Sequence, residues 1–209
     1  FLPEKVVIFA GMVTCLQVDS ALSTLNALAK VGALSEGQAP CRPHAARNPI
    51  RTTMAKTSIH IKACDTAGSE LHNKRELPLS YIRQDLTHLN ESYSYTGQSL
   101  AAELKRIQQD VKKHTGRKLQ KNAIPLKEGV AVISDTTTLS DLKEFCTRCQ
   151  KEFGLVPLQI HVHRDEGHTA ARQWKPNLHA HIVWRMYNEQ GRNVRLSNVD
   201  CARMQTILA

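Results

Sequence analysis

Residues 156–187 of this 209-residue chain read VPLQIHVHRDEGHTAARQWKPNLHAHIVWRMY. Two largely apolar runs, Val156–His163 and Leu178–Tyr187, are separated by the polar stretch Gly167–Pro176. Short apolar runs bounded by glycine, proline and asparagine are typical of β-strands. The pattern therefore predicts two strands with a loop between them.

Five of the ten histidines of the chain fall within His161–His181. Successive side chains of a strand point to opposite faces, so His179 and His181 share one face of their strand. His161 and His163 share a face of the preceding strand for the same reason. If the two strands pair, three or four imidazoles converge, and neutral imidazole is the commonest protein ligand of transition metals.

Two carboxylates, Asp165 and Glu166, directly follow His163. A carboxylate in this place can accept the free ring N–H of a metal-bound histidine and fix its tautomer. The alternative is a set of ordinary exposed or core histidines. The combination of carboxylates with a His-x-His strand favours a metal site. The role of His168, which lies inside the loop, stays open.

The rest of the chain has patterns of helices and strands on either side of this region. Residues 71–95 are polar and mixed, and predict a loop with a short helix near Tyr81–His88. Periodicity and glycine stops predict the remaining elements, which are the strands Thr57–Ala63 and Gly129–Ser134 and the helices Gln98–Lys113, Leu139–Phe153 and Val199–Leu208. This order implies an α/β (α+β) layered fold with a mostly antiparallel sheet.

The composition indicates a polyanionic partner. The chain has 28 Lys and Arg against 19 Asp and Glu, a formal net charge of +9, and such a balance favours nucleic acid. The longest apolar run, Val6–Val13, is too short to span a membrane, so no membrane insertion is expected. Six irregularly spaced cysteines suggest reduced thiols and a cytoplasmic protein.

The positive charge is concentrated in Lys105–Lys127, which holds eight basic residues and one acidic residue, Asp110. A solvated helix face normally alternates in sign. This segment does not, so we favour contact with phosphates over an ordinary surface. The candidate contacts within it are Lys112, Lys113, Lys118 and Lys121.

Three short motifs follow one another along the chain. The first is His72-Asn73-Lys74-Arg75, and the second is His88-Leu89-Asn90, followed by Tyr93. The third joins His163-Arg164-Asp165-Glu166 to Asn177-Leu178-His179-Ala180-His181-Ile182. Together they resemble the motifs of MobV-type (Mob/Pre) relaxases of the HUH superfamily, the mobilization proteins of plasmids and integrative elements, whose first motif is His-Asn-x-Arg.

The resemblance implies a site- and strand-specific DNA nicking and rejoining enzyme that forms a covalent 5′-phosphate intermediate. Its substrate would be DNA at an origin of transfer, and its further partners the conjugation or mobilization machinery. Carried over by position, a divalent Mn2+ or Mg2+ would be bound by His163, His179 and His181. The catalytic residues would be His72 as nucleophile, Arg75 on phosphate and Glu166 beside the ligands.

Further candidate DNA contacts are Lys74 and Asn90 of the first two motifs and Trp174, an aromatic side chain in a basic loop that could stack on an unpaired base. The resemblance covers residues 54–209, which we expect to form the catalytic domain, truncated at its C-terminal end. Residues 1–53 are expected to be an N-terminal extension outside the core or upstream of the native start.

The sequence departs from the family pattern in two places. The stretch Gly167–Pro176 is longer than the usual spacer between the third-motif histidines, and two residues separate Asn90 from Tyr93. Other HUH relaxases use tyrosine, so Tyr81, Tyr93 and Tyr95 are rival nucleophiles. Two alternative functions stay open, a DNA-binding accessory module that does not cut and a metal-dependent nuclease or hydrolase.

Overall fold

The computed structural model describes residues 57–77 and 79–209. The predicted extension 1–53 lies outside the described residues. Seven strands, four α-helices and a 3₁₀-helix follow in the order β1 (Ser58–Ala63), α1 (Thr66–Asn73), the 3₁₀-helix (Gln84–Leu89), β2 (Glu91–Ser94), α2 (Leu100–Thr115), β3 (Leu126–Val132), α3 (Leu139–Phe153), β4 (Val156–His163), β5 (Gly167–Ala170), β6 (Gln173–Pro176), β7 (His179–Arg185) and α4 (Asn198–Leu208).

Five of the strands form one antiparallel sheet in the order β1-β3-β7-β4-β2. The predicted α+β layered fold with a mostly antiparallel sheet is confirmed. The two histidine-bearing strands, β4 and β7, pair directly and lie inside the sheet. Because each has a neighbour on both sides, their backbone positions are fixed by hydrogen bonds along both edges.

The two faces of the sheet have different coverings. On one face, α3 and α4 pack over a large apolar cluster that includes Ile160, Ile182 and Trp184. On the other face, a smaller cluster joins α2 to Val183 of β7. Since side chains alternate along β7, His179 and His181 lie on the same face as Val183, and His181 is the next residue on that face.

The predicted helices α2, α3 and α4 are confirmed within two residues at either end. Ser99, Thr138 and Ser197 cap their N-termini, and each side-chain oxygen accepts a backbone N–H of the first turn. The first two helices end at Gly116 and Gly154, which have φ of 70° and 72°. Glycine takes this left-handed conformation without a Cβ clash, which is why these residues stop the helices.

The predicted loop over Gly167–Pro176 is wrong, because the segment is a two-stranded β-hairpin of β5 and β6. Its turn residues, Ala171 and Arg172, have φ of 49° and 65°. Positive φ at both central positions is the geometry of a tight hairpin turn, which normally contains Asn or Gly. Ala171 and Arg172 are neither, so the sequence pattern does not predict the hairpin.

The predicted loop over residues 71–95 is wrong at both ends. The helix α1 extends to Asn73, and the edge strand β2 occupies Glu91–Ser94. The short helix near Tyr81–His88 is present as the 3₁₀-helix. Both missed elements are short and polar, so neither carries an apolar periodicity.

Within residues 57–77 and 79–209, no helix is both long and apolar enough to cross a membrane.

Candidate metal centre

The register of β4 and β7 brings four histidines onto one face of the sheet. His163 lies opposite His179, and His161 lies opposite His181. Directly opposed residues of an antiparallel pair have side chains on the same face, about 5 Å apart. The convergence expected from the spacing is therefore present.

His72, in the last turn of α1, completes a cluster with three of these side chains. One ring nitrogen from each of His72, His163, His179 and His181 lies within 4.8 Å of the others. The centroids of the His72 ring and of the His163 and His181 rings are 5.1 Å apart. Such a group of four imidazoles could hold a metal ion.

Outer hydrogen bonds orient two of the rings. The Nδ1 atom of His181 lies 2.9 Å from Glu128 Oε1, and Nδ1 of His179 lies 2.7 Å from the carbonyl oxygen of Asn177. Both oxygens can only accept, so each Nδ1 carries the proton and each Nε2 presents a lone pair. This is the arrangement by which proteins prepare histidines for metal.

The buried nitrogens of the cluster fit a cation. Among the described residues, Nε2 of His163 and Nε2 of His181 are buried without a hydrogen-bond partner. Burial lowers the pKa of His163 to about 4, so the ring is neutral near pH 7. Buried ring nitrogens without a hydrogen-bond partner are costly unless something binds them.

Glu166 places a negative charge at the edge of the cluster. Its Oε1 lies 3.2 Å from Nε2 of His72, 3.3 Å from Nδ1 of His163 and 2.8 Å from Nη2 of Arg75. Burial acts to raise the pKa of Glu166, but the contacts with His163 and His72 hold it well below its ordinary value. The ionised carboxylate can thus balance a cation or orient the neighbouring imidazoles.

Arg75 is fixed by Asp165, which is fully buried. The Nε and Nη2 atoms of Arg75 donate to the two carboxylate oxygens at 3.1 and 2.5 Å, and Thr87 donates to the same carboxylate. The residue has φ of 59°, a left-handed conformation that costs energy for a side chain other than glycine. A two-pronged ion pair of this kind holds that backbone in place.

The other predicted DNA contacts lie in different settings. Asn90 accepts the backbone N–H of Arg164 at 2.8 Å and so supports the segment that carries Asp165. Lys74 pairs with Glu70 on the exposed side of α1. Trp174, half-buried in the β5–β6 hairpin, lies beneath the Arg83 guanidinium. Contact of these residues with DNA stays a prediction.

The basic segment Lys105–Lys127 covers most of α2 and the turn that follows it. Lys112, Lys113, Lys118 and Lys121 are all exposed. The one acidic residue, Asp110, is paired with the buried Arg185 at 2.6 Å. The exposed lysines therefore keep their positive charge uncompensated by Asp110.

The structure separates the three tyrosines considered as nucleophiles. Tyr93 pairs with Ile160, so its side chain lies on the α3 face, where Lys143 sits 3.5 Å from the ring centroid. The ring centroid of Tyr95 lies 5.0 Å from that of Tyr93, on the same face. Tyr81 lies near Glu166, at the edge of the cluster. Burial and the charge of Glu166 raise the pKa of its hydroxyl.

Glu128 is the residue near the cluster that the sequence did not single out. It is buried on β3, where it contacts His181 and accepts a hydrogen bond from Ser69 of α1 at 3.2 Å. Burial would raise the pKa of Glu128, yet His181 and Lys62 hold it at about 2. The available signal was one carboxylate, next to Lys127, in the short β-strand Leu126–Val132.

The substitution Glu128→Gln is expected to weaken divalent metal binding by about 10- to 100-fold, the usual effect when a partner of a ligating histidine is changed. The amide keeps the size of the side chain but removes the charge that stabilises the Nδ1–H form of His181. Calorimetric titration with Mn2+ measures the change. Glu144→Gln, on the exposed side of α3, is the control, and equal affinities of the two variants would contradict the role of Glu128.

In the metal-free protein, thermal stability is expected to fall as the pH drops from 6.5 towards 4. Burial lowers the pKa of His161 and His163 from 6.5 to about 4, so over this range the unfolded chain binds protons that the folded chain does not. Each histidine lowers the free energy of unfolding by on the order of 3 kcal/mol at the low-pH end. Calorimetric melting in chelator measures the slope; a shallower slope is expected for His161→Gln, and a flat profile would contradict the prediction.

Comparison with known proteins gives a structural likeness alone. No family model and no curated protein matches the sequence significantly. A solved structure of the MobM relaxase domain (MOBV; Mob_Pre), Mn-bound on 22-nucleotide oriT DNA of plasmid pMV158 at pH 5.5, is similar at 15% identity with a TM-score of 0.55, over 73% of this chain and 86% of that chain. Two further Mn-bound structures of the domain with oriT DNA, at pH 6.8 and pH 4.6, have TM-scores of 0.52 with the same shares of each chain covered, at 15% and 16% identity. The described part of the chain therefore has the fold of the MOBV relaxase domain.

Proposed function

We propose that this protein is a metal-dependent relaxase, which nicks and rejoins one DNA strand at an origin of transfer and so starts mobilization of a plasmid or integrative element. The observation that carries the proposal is the position of His72. A histidine predicted as nucleophile from a distant motif lies beside three strand histidines that present ring nitrogens to one point. The fold shared with Mn-bound relaxase domains on oriT DNA supports the same activity.

In this proposal His163, His179 and His181 hold a divalent Mn2+ or Mg2+. The metal, when bound, neutralises charge on the non-bridging oxygens of the scissile phosphate. A cavity of about 420 Å³ opens on the cluster and is lined by His72, Glu166 and Lys62 among others. This space gives a phosphodiester access to both the metal ligands and His72.

The chemical step is a displacement at phosphorus. A ring nitrogen of His72 forms a bond to phosphorus, and the bond from phosphorus to the 3′ oxygen breaks. The leaving oxygen takes up a proton and becomes a free 3′ hydroxyl, while the 5′ phosphoryl group stays on the histidine. The P–N bond keeps the phosphoryl group activated, so attack by a 3′ hydroxyl reverses the step and rejoins the strand.

Glu166 acts on the nucleophile of this step and Arg75 on the phosphate. Glu166 contacts His72 Nε2 and so orients the ring, and Arg75 lies against Glu166 at 2.8 Å. The Arg75 guanidinium has five donors, of which Asp165 takes two. Nη1 also donates to the carbonyl oxygen of His72 at 3.2 Å, and its second N–H can donate to the phosphate as its negative charge develops.

Residues 54–209 form the catalytic domain in this proposal, and the protein acts in the cytoplasm on DNA. The basic segment contacts the DNA backbone away from the cleavage point. Lys74, Asn90 and Trp174 serve strand positioning near the cleavage point. Contacts with the conjugation or mobilization machinery would follow nicking.

Replacing Lys112, Lys113, Lys118 and Lys121 with alanine is expected to weaken binding to all DNA sequences alike. The salt dependence of the affinity should fall by about 0.7–0.9 in log–log slope for each phosphate that the protein no longer neutralises. Fluorescence anisotropy with labelled DNA over a range of NaCl concentrations measures this slope. The control is Arg148→Ala with Lys151→Ala on α3, across the sheet; an equal decrease of slope per charge in both variants would show general charge attraction and no defined contact.

The proposed activity is tested on a supercoiled plasmid that carries the origin region of the mobile element. We expect relaxation with Mn2+, none with chelator, and a protein–DNA adduct after denaturation. A nuclease gives nicks without an adduct, and a DNA-binding accessory module gives a mobility shift without nicks. Either of these results would replace the relaxase assignment.

A further inference from the structure

His72 is held differently from the three strand histidines. Its side chain is 21% exposed, against 1%, 6% and 9% for His163, His179 and His181. It lies on α1, whose buried residues are polar. Within the described chain, α1 supplies no buried side chain to either hydrophobic cluster.

The contacts that dock α1 on the sheet are polar as well. Ser69 donates to Glu128 at 3.2 Å, and Arg75, just after the helix, pairs with Asp165. A helix attached by a few hydrogen bonds can shift at lower cost than one packed by large apolar side chains. With its larger exposed fraction, the His72 ring has more room to turn than the rings of the strand histidines.

The spacing of His72 from two of the strand histidines matches the spacing among the strand histidines. Its ring centroid is 5.1 Å from those of His163 and His181, and the strand histidines are 4.9–5.2 Å apart from one another. In a tetrahedral site with bonds of about 2.0–2.1 Å, ligand nitrogens are roughly 3.4 Å apart. The four ring nitrogens lie at most 4.8 Å apart, so the widest separation has to decrease by about 1.4 Å to reach that geometry.

We propose that, without DNA, His72 is a fourth metal ligand in a closed four-histidine site, and that a DNA phosphate displaces it. The inference rests on the proposed function, since it concerns the resting form of the same centre. An imidazole nitrogen has one lone pair, which either binds metal or attacks phosphorus. The displaced His72 becomes the free nucleophile at the moment when the phosphate takes its place.

The two roles of His72 also need different positions. A ligand nitrogen lies about 2.0–2.1 Å from zinc, whereas a nucleophile must lie about 3–3.5 Å from phosphorus, with the metal beyond a phosphate oxygen. The ring therefore has to leave the metal before it can react. Arrival of the substrate then both fills the vacated metal position and activates the nucleophile.

The choice of metal follows from the same geometry. Zinc favours closed tetrahedral sites of four protein ligands, and nitrogen ligands bind it more tightly than manganese. Four histidines would satisfy zinc fully and resist exchange with phosphate. Manganese accepts six ligands, so it keeps room for the phosphate while His72 departs.

The test compares the whole protein with His72→Ala, His72→Gln and the control His114→Ala, an exposed histidine of α2. Co2+ bound to the wild type and to the control should give the intense visible absorption of tetrahedral coordination. The His72 variants should give shifted bands, because water then replaces the fourth nitrogen ligand. Their Zn2+ affinity, measured by competition with a chromogenic chelator, should fall by more than about 10-fold. Changing only an outer partner of a ligating histidine already costs about 10- to 100-fold.

Displacement is measured by titrating inorganic phosphate, and then a short single-stranded oligonucleotide, into the Co2+ wild type. The visible bands should shift as either probe binds, because an oxygen ligand then replaces the His72 nitrogen. Identical Co2+ spectra and Zn2+ affinities for the wild type and both His72 variants would overturn the inference, as would a spectrum that neither probe changes. Circular dichroism confirms that the variants are folded.

The proposed function fails separately from this inference. If the protein forms the DNA adduct while the Co2+ spectra of the wild type and His72→Ala are identical, the relaxase stands and the fourth ligand is wrong. If the spectra differ as expected but no adduct forms on the origin, the four-histidine site stands and the relaxase is wrong.

Discussion

His72→Ala is expected to abolish the covalent protein–DNA adduct and to reduce nicking by about 10⁴-fold or more, the size of effect seen when a nucleophile is removed. The variant lacks the proposed nucleophile. We assign this role to His72 because it is the most exposed of the four clustered histidines and lies outside the paired strands. Denaturing gels of protein with labelled origin DNA measure the adduct. Because a histidine–DNA link is a phosphoramidate, the wild-type adduct should be labile in mild acid and stable in base.

Tyrosine variants are the matched controls for this result. Tyr93→Phe and Tyr95→Phe should keep the adduct, since both side chains lie on the α3 face of the sheet. Tyr81→Phe is the most demanding control, because Tyr81 lies next to Glu166. An acid-stable adduct that survives His72→Ala and disappears with Tyr81→Phe would transfer the nucleophile to that tyrosine.

His179→Ala should remove tight binding of Mn2+ and with it all metal-dependent nicking. The ring is buried, and its Nδ1 is engaged with the Asn177 carbonyl, so removing the imidazole takes away a preoriented ligand. We expect the Mn2+ affinity to fall by about 100-fold or more, beyond the effect of changing an outer partner. Calorimetric titration measures the affinity, and the plasmid assay measures nicking.

His168→Ala is the control for this second prediction. His168 is an exposed histidine on β5, in the hairpin that joins the two ligand-bearing strands. Its alanine variant should bind Mn2+ as the wild type does. Equal, tight binding by His179→Ala and His168→Ala would exclude His179 as a ligand and would leave the proposed centre without a basis.

The sequence was most informative where one short pattern predicted both a strand and the face on which its side chains lie. The runs around His163 and His181 predicted strands, and period two alone placed their histidines on one face. The pairing of the two strands was left as a condition by the sequence and is present in the structure. Gly116 and Gly154 ended helices because few other residues accept a positive φ.

The missed features depend on contacts between distant parts of the chain. Arg75 meets Asp165 across 90 residues, and Glu128 meets His181 across 53 residues. No local periodicity encodes such pairs. The role of Glu128 became visible only once the pairing of β3 with β7 put it beside the histidines. Metal binding by the histidines and the catalytic roles of His72, Arg75 and Glu166 stay predictions.

Glu128 makes α1 and the metal ligands thermodynamically coupled. One carboxylate oxygen contacts His181 and the other accepts from Ser69 of α1, so the same charge serves the ligand and the helix. Linkage is reciprocal: whatever free energy metal binding adds to the ordering of α1, an ordered α1 returns to metal binding. The amide hydrogens of α1 should accordingly exchange with solvent more slowly in the loaded protein, although the helix itself is short and has little apolar packing.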